Sequence, residues 1–133
     1  MGSMQSRHLS TVIRRDPAEV AAYFGNPENL PEWAAGLTDT AVRHDGDDLV
    51  IPTPMGDWRM RFAAPNDLGV LDHWVTDHTG QVTYNPVRVI AHPDGAELIF
   101  TLRQLNLTDE QYEKDAAAVT ADLERLRTVL ERD

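Results

Sequence analysis

The sequence predicts an α+β domain: one antiparallel sheet carrying a long C-terminal helix, with two short helices after the first strand. Three observations predict it. Tyr112, Ala116, Val119, Leu123, Leu126 and Leu130 recur at alternating spacings of four and three, a single apolar stripe along an otherwise charged helix. Turn residues divide the stretch from Thr38 to Arg103 into short segments, as in a meander. Helix caps stand at Asp16 and Thr108, bracketing that stretch. The stripe must be buried, and the sheet is the only large surface available to it. A long helix across a curved sheet leaves a hollow, so function is sought as a pocket.

Taken in order, Arg7 to Arg14 alternates as a strand. Asp16-Pro17-Ala18-Glu19 then opens a helix, with Asp as N-cap and Pro at the first helical position. Val20, Tyr23 and Phe24 form its inner side, and Gly25 stops it. A second short helix runs through Leu30-Pro31-Glu32-Trp33 and ends near Gly36. Hairpin signals follow at Asp45-Gly46, Pro54-Met55-Gly56, Pro65-Asn66-Asp67, Thr79-Gly80 and Pro93-Asp94-Gly95. They delimit strands at Thr40–His44, Leu49–Thr53, Trp58–Ala63, Leu68–Thr76, Val82–His92 and Glu97–Arg103. Thr108 and Gln111 form a capping box that starts the last helix.

Composition narrows the chemistry. A chain of 133 residues is one domain, long enough to bury a core unaided. It has no cysteine, which removes disulfide scaffolds, thiolate metal sites and cysteine nucleophiles together. Its 22 Asp and Glu outnumber 12 Lys and Arg, for a formal net charge of −10. The arginines are scattered, so neither nucleic acid nor an anionic membrane is an expected partner. No apolar run approaches the roughly 20 residues of a membrane span. No secretory signal opens the chain, and a cytoplasmic location is expected. Met1-Gly2-Ser3 reads as a cloning scar, leaving residues 4–133 as the single domain.

This order of elements, read with its residues, resembles the START-like helix-grip superfamily and its polyketide cyclase/dehydrase branch. The segment Ile13 to Trp33 (IRRDPAEVAAYFGNPENLPEW) is similar to the branch's opening strand and helices. Asn85 to Ile90, Asp94-Gly95 and Glu97 to Leu102 are similar to its last two strands, and Asp115 to Leu126 to its closing helix. The resemblance implies a curved sheet of about seven strands wrapped around the C-terminal helix. It also implies a cavity between them for a polyketide-like, lipid-like or aromatic ligand, and no cofactor. The chain is shorter than the larger members and has no evident lid insertion.

Trp33, Trp58, Trp74, Phe100 and Tyr112, with Ala116 and Val119 of the stripe, are the candidate lining of that cavity; core packing is the alternative for each. Trp58, Met60 and Phe62 share the face expected to meet the helix, with Arg59 and Arg61 pointing away. The facing of the Val82–Ile90 segment is open. If Tyr84 and Arg88 face the cavity, Arg88 clamps a carboxylate or enolate and Tyr84 donates to a carbonyl; if they face out, Val87 and Val89 form core. His73 completes the acid–base candidates, paired not with its neighbour Asp72, which points the other way, but with Glu97 or Tyr84. The histidines show no HxH or HExxH spacing, so no metal site is expected. The expected function is binding of a small hydrophobic molecule, with cyclisation or dehydration as its catalytic form. The alternative is a non-catalytic interaction domain with a filled interior, acting as a homodimer.

Overall fold

The computed structural model describes residues 5–34 and 42–132; the expected helix stop at Gly36 and strand start at Thr40 lie outside them. The described elements are β1 (Ser6–Ile13), α1 (Pro17–Phe24), α2 (Leu30–Trp33), β2 (Arg43–Asp45), β3 (Asp48–Ile51) and β4 (Trp58–Phe62). They continue with β5 (His73–Thr76), β6 (Val82–Asn85), β7 (Val87–His92), β8 (Gly95–Arg103) and α3 (Asp109–Glu131). The caps act as their residue types dictate. The Asp16 carboxylate accepts from the Ala18 N–H at 2.9 Å, and Thr108 and Gln111 satisfy each other's backbone N–H groups at the start of α3.

The strands pair antiparallel in two runs, β1-β8-β7 and β2-β3-β4-β5-β6. The expected strand Val82–His92 is thus two segments broken at Pro86, which makes eight strand segments where about seven were expected. The register does not slip at the break. His73 faces Asn85, and three residues further along each chain Val70 faces Arg88. Only the hydrogen-bond ladder is interrupted. Pro86 stands opposite Asp72 at a non-hydrogen-bonded position, and its carbonyl turns to the Thr101 N–H of β8. The bond missing beside it is the one from the Val87 N–H to the Leu71 carbonyl.

Side chains repair the interruption. The Val87 N–H, which this register aims at the Leu71 carbonyl, donates instead to the Asp72 carboxylate at 2.8 Å. The same carboxylate accepts from the Tyr84 hydroxyl at 2.6 Å and pairs with the Arg88 guanidinium. One buried acid therefore holds donors from both halves of the broken strand. The Leu71 carbonyl takes Nδ1 of His73 in turn, at 3.3 Å.

The core lies between the inner face of the sheet and the helices. Tyr112, Ala116, Leu123 and Leu126 of the predicted stripe are buried, and Val119 and Leu130 are half-buried. They meet Ile13, Leu98 and Leu102 from β1 and β8, with Val20, Phe24 and Leu30 from the short helices. Each fully buried Leu or Phe here is worth about 1.5–3 kcal/mol. The Tyr112 hydroxyl ends on the Leu102 carbonyl at 2.7 Å, which fixes the start of α3 to β8.

Replacing Asp72 by Ala is expected to cost about 3 kcal/mol in urea unfolding, since it orphans a buried N–H and a hydroxyl. Burial alone would raise this carboxyl, but the bonds from Tyr84, Val87 and Arg88 outweigh it and hold it below the ordinary value. Its contribution is therefore present above the unfolded Asp value of about 3.9 and lost as pH falls through the lower folded one. The gap between wild type and Asp72→Ala should narrow as pH falls below the unfolded Asp value.

Candidate ligand-binding cleft

α1 buries Val20 and Phe24 on one side and presents only small residues, Ala18, Ala21, Ala22 and Gly25, along the other. Opposite that side the chain leaves the sheet after β4 and returns as a loop. Between them opens a cleft of ≈ 1160 Å³. Its floor is Leu49, Phe62, Leu71 and Val89. Phe62 and Val89 lie on the inner face of the sheet by their pairing with His73 and Leu98, so the cleft belongs to the concave side of the grip. The volume lies just above the usual range of small-molecule sites, as befits a half-open cleft.

The loop wall is held together by a local network. The Asn66 amide donates to the carbonyls of Ala64 and Val70 and accepts from the N–H groups of Leu68 and Val70. Gly69 has φ 74°, and a Cβ there would come within 2.2 Å of the Val89 carbonyl oxygen, so the position excludes any other residue. This is also why the expected strand Leu68–Thr76 shortens to His73–Thr76: its first residues serve the loop.

None of the sequence-predicted site residues lines this cleft. Trp33, Phe100, Tyr112 and Ala116 are buried core, with Trp58 and Val119 half-buried beside them. Trp33 stacks on Phe24 at 4.8 Å, and Phe24 meets the cleft residue Phe62 edge-on at 6.3 Å. The indole nitrogens of Trp33 and Trp58 are buried with no acceptor among the described residues. Trp74 corrects the expectation that it lines the interior. It sits opposite Arg61 and Tyr84 on the outer face, 39% exposed, and stacks on Tyr84 at 5.1 Å. Tyr84 and Arg88 also face out, bound to Asp72, while Val87 and Val89 are core. Neither polar group reaches the helix side.

His73 alone of the acid–base candidates faces inward, ringed by Phe24, Phe62 and Phe100. Its partners are the Leu71 carbonyl and, at 3.4 Å, the Asn85 amide, in place of the expected Glu97 or Tyr84. A carbonyl only accepts, so Nδ1 carries the proton and Nε2 takes the Asn85 N–H. Burial disfavours the imidazolium and lowers the ring to about 4. The cleft residues Ala18, Ala21, Ala22 and Leu71 were not singled out from sequence, and Phe62 only as an inward-facing residue of its strand; the alanine-rich side of α1 is the signal that marks the helix wall. Among the described residues no group of His, Asp and Glu is placed to hold a metal, and no helix is long and apolar enough to cross a membrane.

The architecture recurs in solved structures. The Aha1 dimer from Colwellia psychrerythraea superposes with a TM-score of 0.77 at 12% identity, over 96% of this chain and 97% of that one. Protein MLL2253 from Mesorhizobium loti gives 0.73 at 14% identity, covering 96% and 98%. Ara h 8.0201 gives 0.66 at 11% identity, covering 96% and 98%. These likenesses establish the helix-grip fold. No protein-family model matches the sequence, and no curated protein matches it.

The His73 ring should stay neutral and Nδ1-protonated down to about pH 5 in a nitrogen-detected NMR titration, with its midpoint near 4. The folded value lies below the unfolded one of about 6.5, so the unfolded chain binds the extra proton between them. Stability should fall by roughly 3 kcal/mol as pH drops across that window, and His73→Phe should remove this component.

Proposed function

We propose that this chain binds a small apolar molecule in the cleft beside α1. The observation that carries the reading is a half-open hollow of ≈ 1160 Å³ with an aliphatic and aromatic floor and a wall of alanines. Burying about 300 Å² of ligand at about 25 cal/mol per Å² supplies about 7 kcal/mol, a micromolar affinity before the cost of immobilisation. The resemblance to the polyketide cyclase/dehydrase branch favours a polyketide-like, lipid-like or aromatic ligand. In the catalytic form of the reading, cyclisation or dehydration is driven by the shape in which the cleft holds a reactive chain. The positions of Tyr84, Arg88 and His73 favour that over side-chain proton transfer: two lie on the other face, and the third is neutral behind Phe62.

A second reading is a homodimer through the outer face of the sheet. It is favoured by the exposed Trp74–Tyr84 stack, flanked by Arg61 on one side and by the Asp72–Arg88 pair on the other. An aromatic centre with both charges around it suits a two-fold contact with a second copy.

The neutral probe N-phenyl-1-naphthylamine should bind saturably at one site with a blue-shifted fluorescence gain. Ala22→Trp, which fills the cleft from an exposed helix position, should abolish the gain without lowering the melting temperature. No saturable gain, or equal gain in both proteins, overturns the cleft as the site. For the second reading, sedimentation velocity should show a dimer that Trp74→Ser converts to monomer; a wild-type monomer at about 100 µM rejects it.

A further inference from the structure

The apolar cleft has a charged rim, and among the described residues its carboxylates outnumber its guanidinium groups. Three carboxylates from three separate segments surround the opening: Asp16 before α1, Asp47 in the β2–β3 turn and Asp67 in the loop wall. All three are exposed, and neither Asp47 nor Asp67 has an ion-pair partner among the described residues. Among the described residues the rim also holds the His44 imidazole and one guanidinium, that of Arg61, which is tied to Asp48 at 2.7 Å. The N-terminus of α1 offers an anion little. Pro17 has no N–H, Ala18 donates to the Asp16 side chain, and Val20 donates to the Asp16 carbonyl. The chain as a whole carries −10, so its long-range field draws in cations and turns away carboxylates.

Resting on the cleft reading above, we infer that the ligand is an apolar amine: an aromatic or aliphatic body on the Leu49–Phe62–Leu71 floor, with a protonated nitrogen at the Asp47–Asp67 rim. The amine keeps part of its hydration at the half-open rim, so the ion pairs set selectivity while the floor supplies affinity. Preference over a matched carboxylate should be about tenfold at low salt.

Three probes of one shape test this by displacing N-phenyl-1-naphthylamine: 2-(1-naphthyl)ethylamine, 2-(1-naphthyl)ethanol and 1-naphthylacetate. The expected order is amine, alcohol, carboxylate. The spread between the charged probes should shrink severalfold from about 20 mM to 500 mM salt. The double variant Asp47→Asn, Asp67→Asn should lose most of the amine preference and keep its alcohol affinity. Equal binding of the three, or tightest binding of the carboxylate, overturns the inference and leaves the cleft standing. An amine preference unchanged in the double variant overturns it too. If none of the three displaces the dye, the cleft reading falls and the inference with it.

Discussion

The sheet depends on one buried carboxylate. Pro86 interrupts the longest strand of the meander, and without repair the two strand runs would share only a few bonds across the break. Asp72 gathers the Tyr84 hydroxyl, the Val87 N–H and the Arg88 guanidinium, donors from both halves of the broken strand, and so keeps the register continuous. The Pro86 carbonyl still accepts from the Thr101 N–H at 2.9 Å, which ties the bend to β8. The same repair frees the Leu71 carbonyl for His73. Two adjacent residues on opposite faces thereby satisfy the Val87 N–H and the Leu71 carbonyl, which the bend leaves unpaired, and a histidine read as an acid–base candidate is engaged in the ladder.

That constraint reaches the cleft. Before Asp72 the chain pairs with β7 only through Gly69, Val70 and Leu71. The residues ahead of them wrap around Asn66 and stand away from α1. A strand running unbroken from Leu68 would have closed the gap that α1 and this loop leave between them. Small side chains on α1 and a side-chain-centred loop make the hollow, while the α3 side of the sheet is occupied by Tyr112, Ala116, Leu123 and Leu126.

Much of this was legible in the sequence. The stripe of α3, its capping box and the turn residues of the meander act locally, and local signals survive folding. The β4 parity also held, with Met60 buried and Arg59 and Arg61 exposed. The β6–β7 segment was not legible because its polarity is mixed: Val87 and Val89 are core, but the rest runs the other way. Thr83 and Asn85 face in, while Val82, Tyr84 and Ile90 face out. An apolar-in rule cannot orient such a strand, and Tyr84 and Arg88 go with it. The cleft was hidden for a different reason: it is made by what α1 lacks, and alanines beside a buried Val20 and Phe24 read as ordinary helix.

The central claim is that the ligand sits beside α1 and not under α3. The direct measurement is a two-dimensional ¹⁵N–¹H NMR titration of the wild-type chain with 2-(1-naphthyl)ethanol. Shifts concentrated on the amides of Ala18, Ala21, Ala22, Gly25 and Leu71, with the Asn66 side-chain amide, are the predicted result. Shifts concentrated on the indole N–H signals of Trp33 and Trp58 and along Tyr112 to Val119 would place the ligand in the helix–sheet interior and contradict the account.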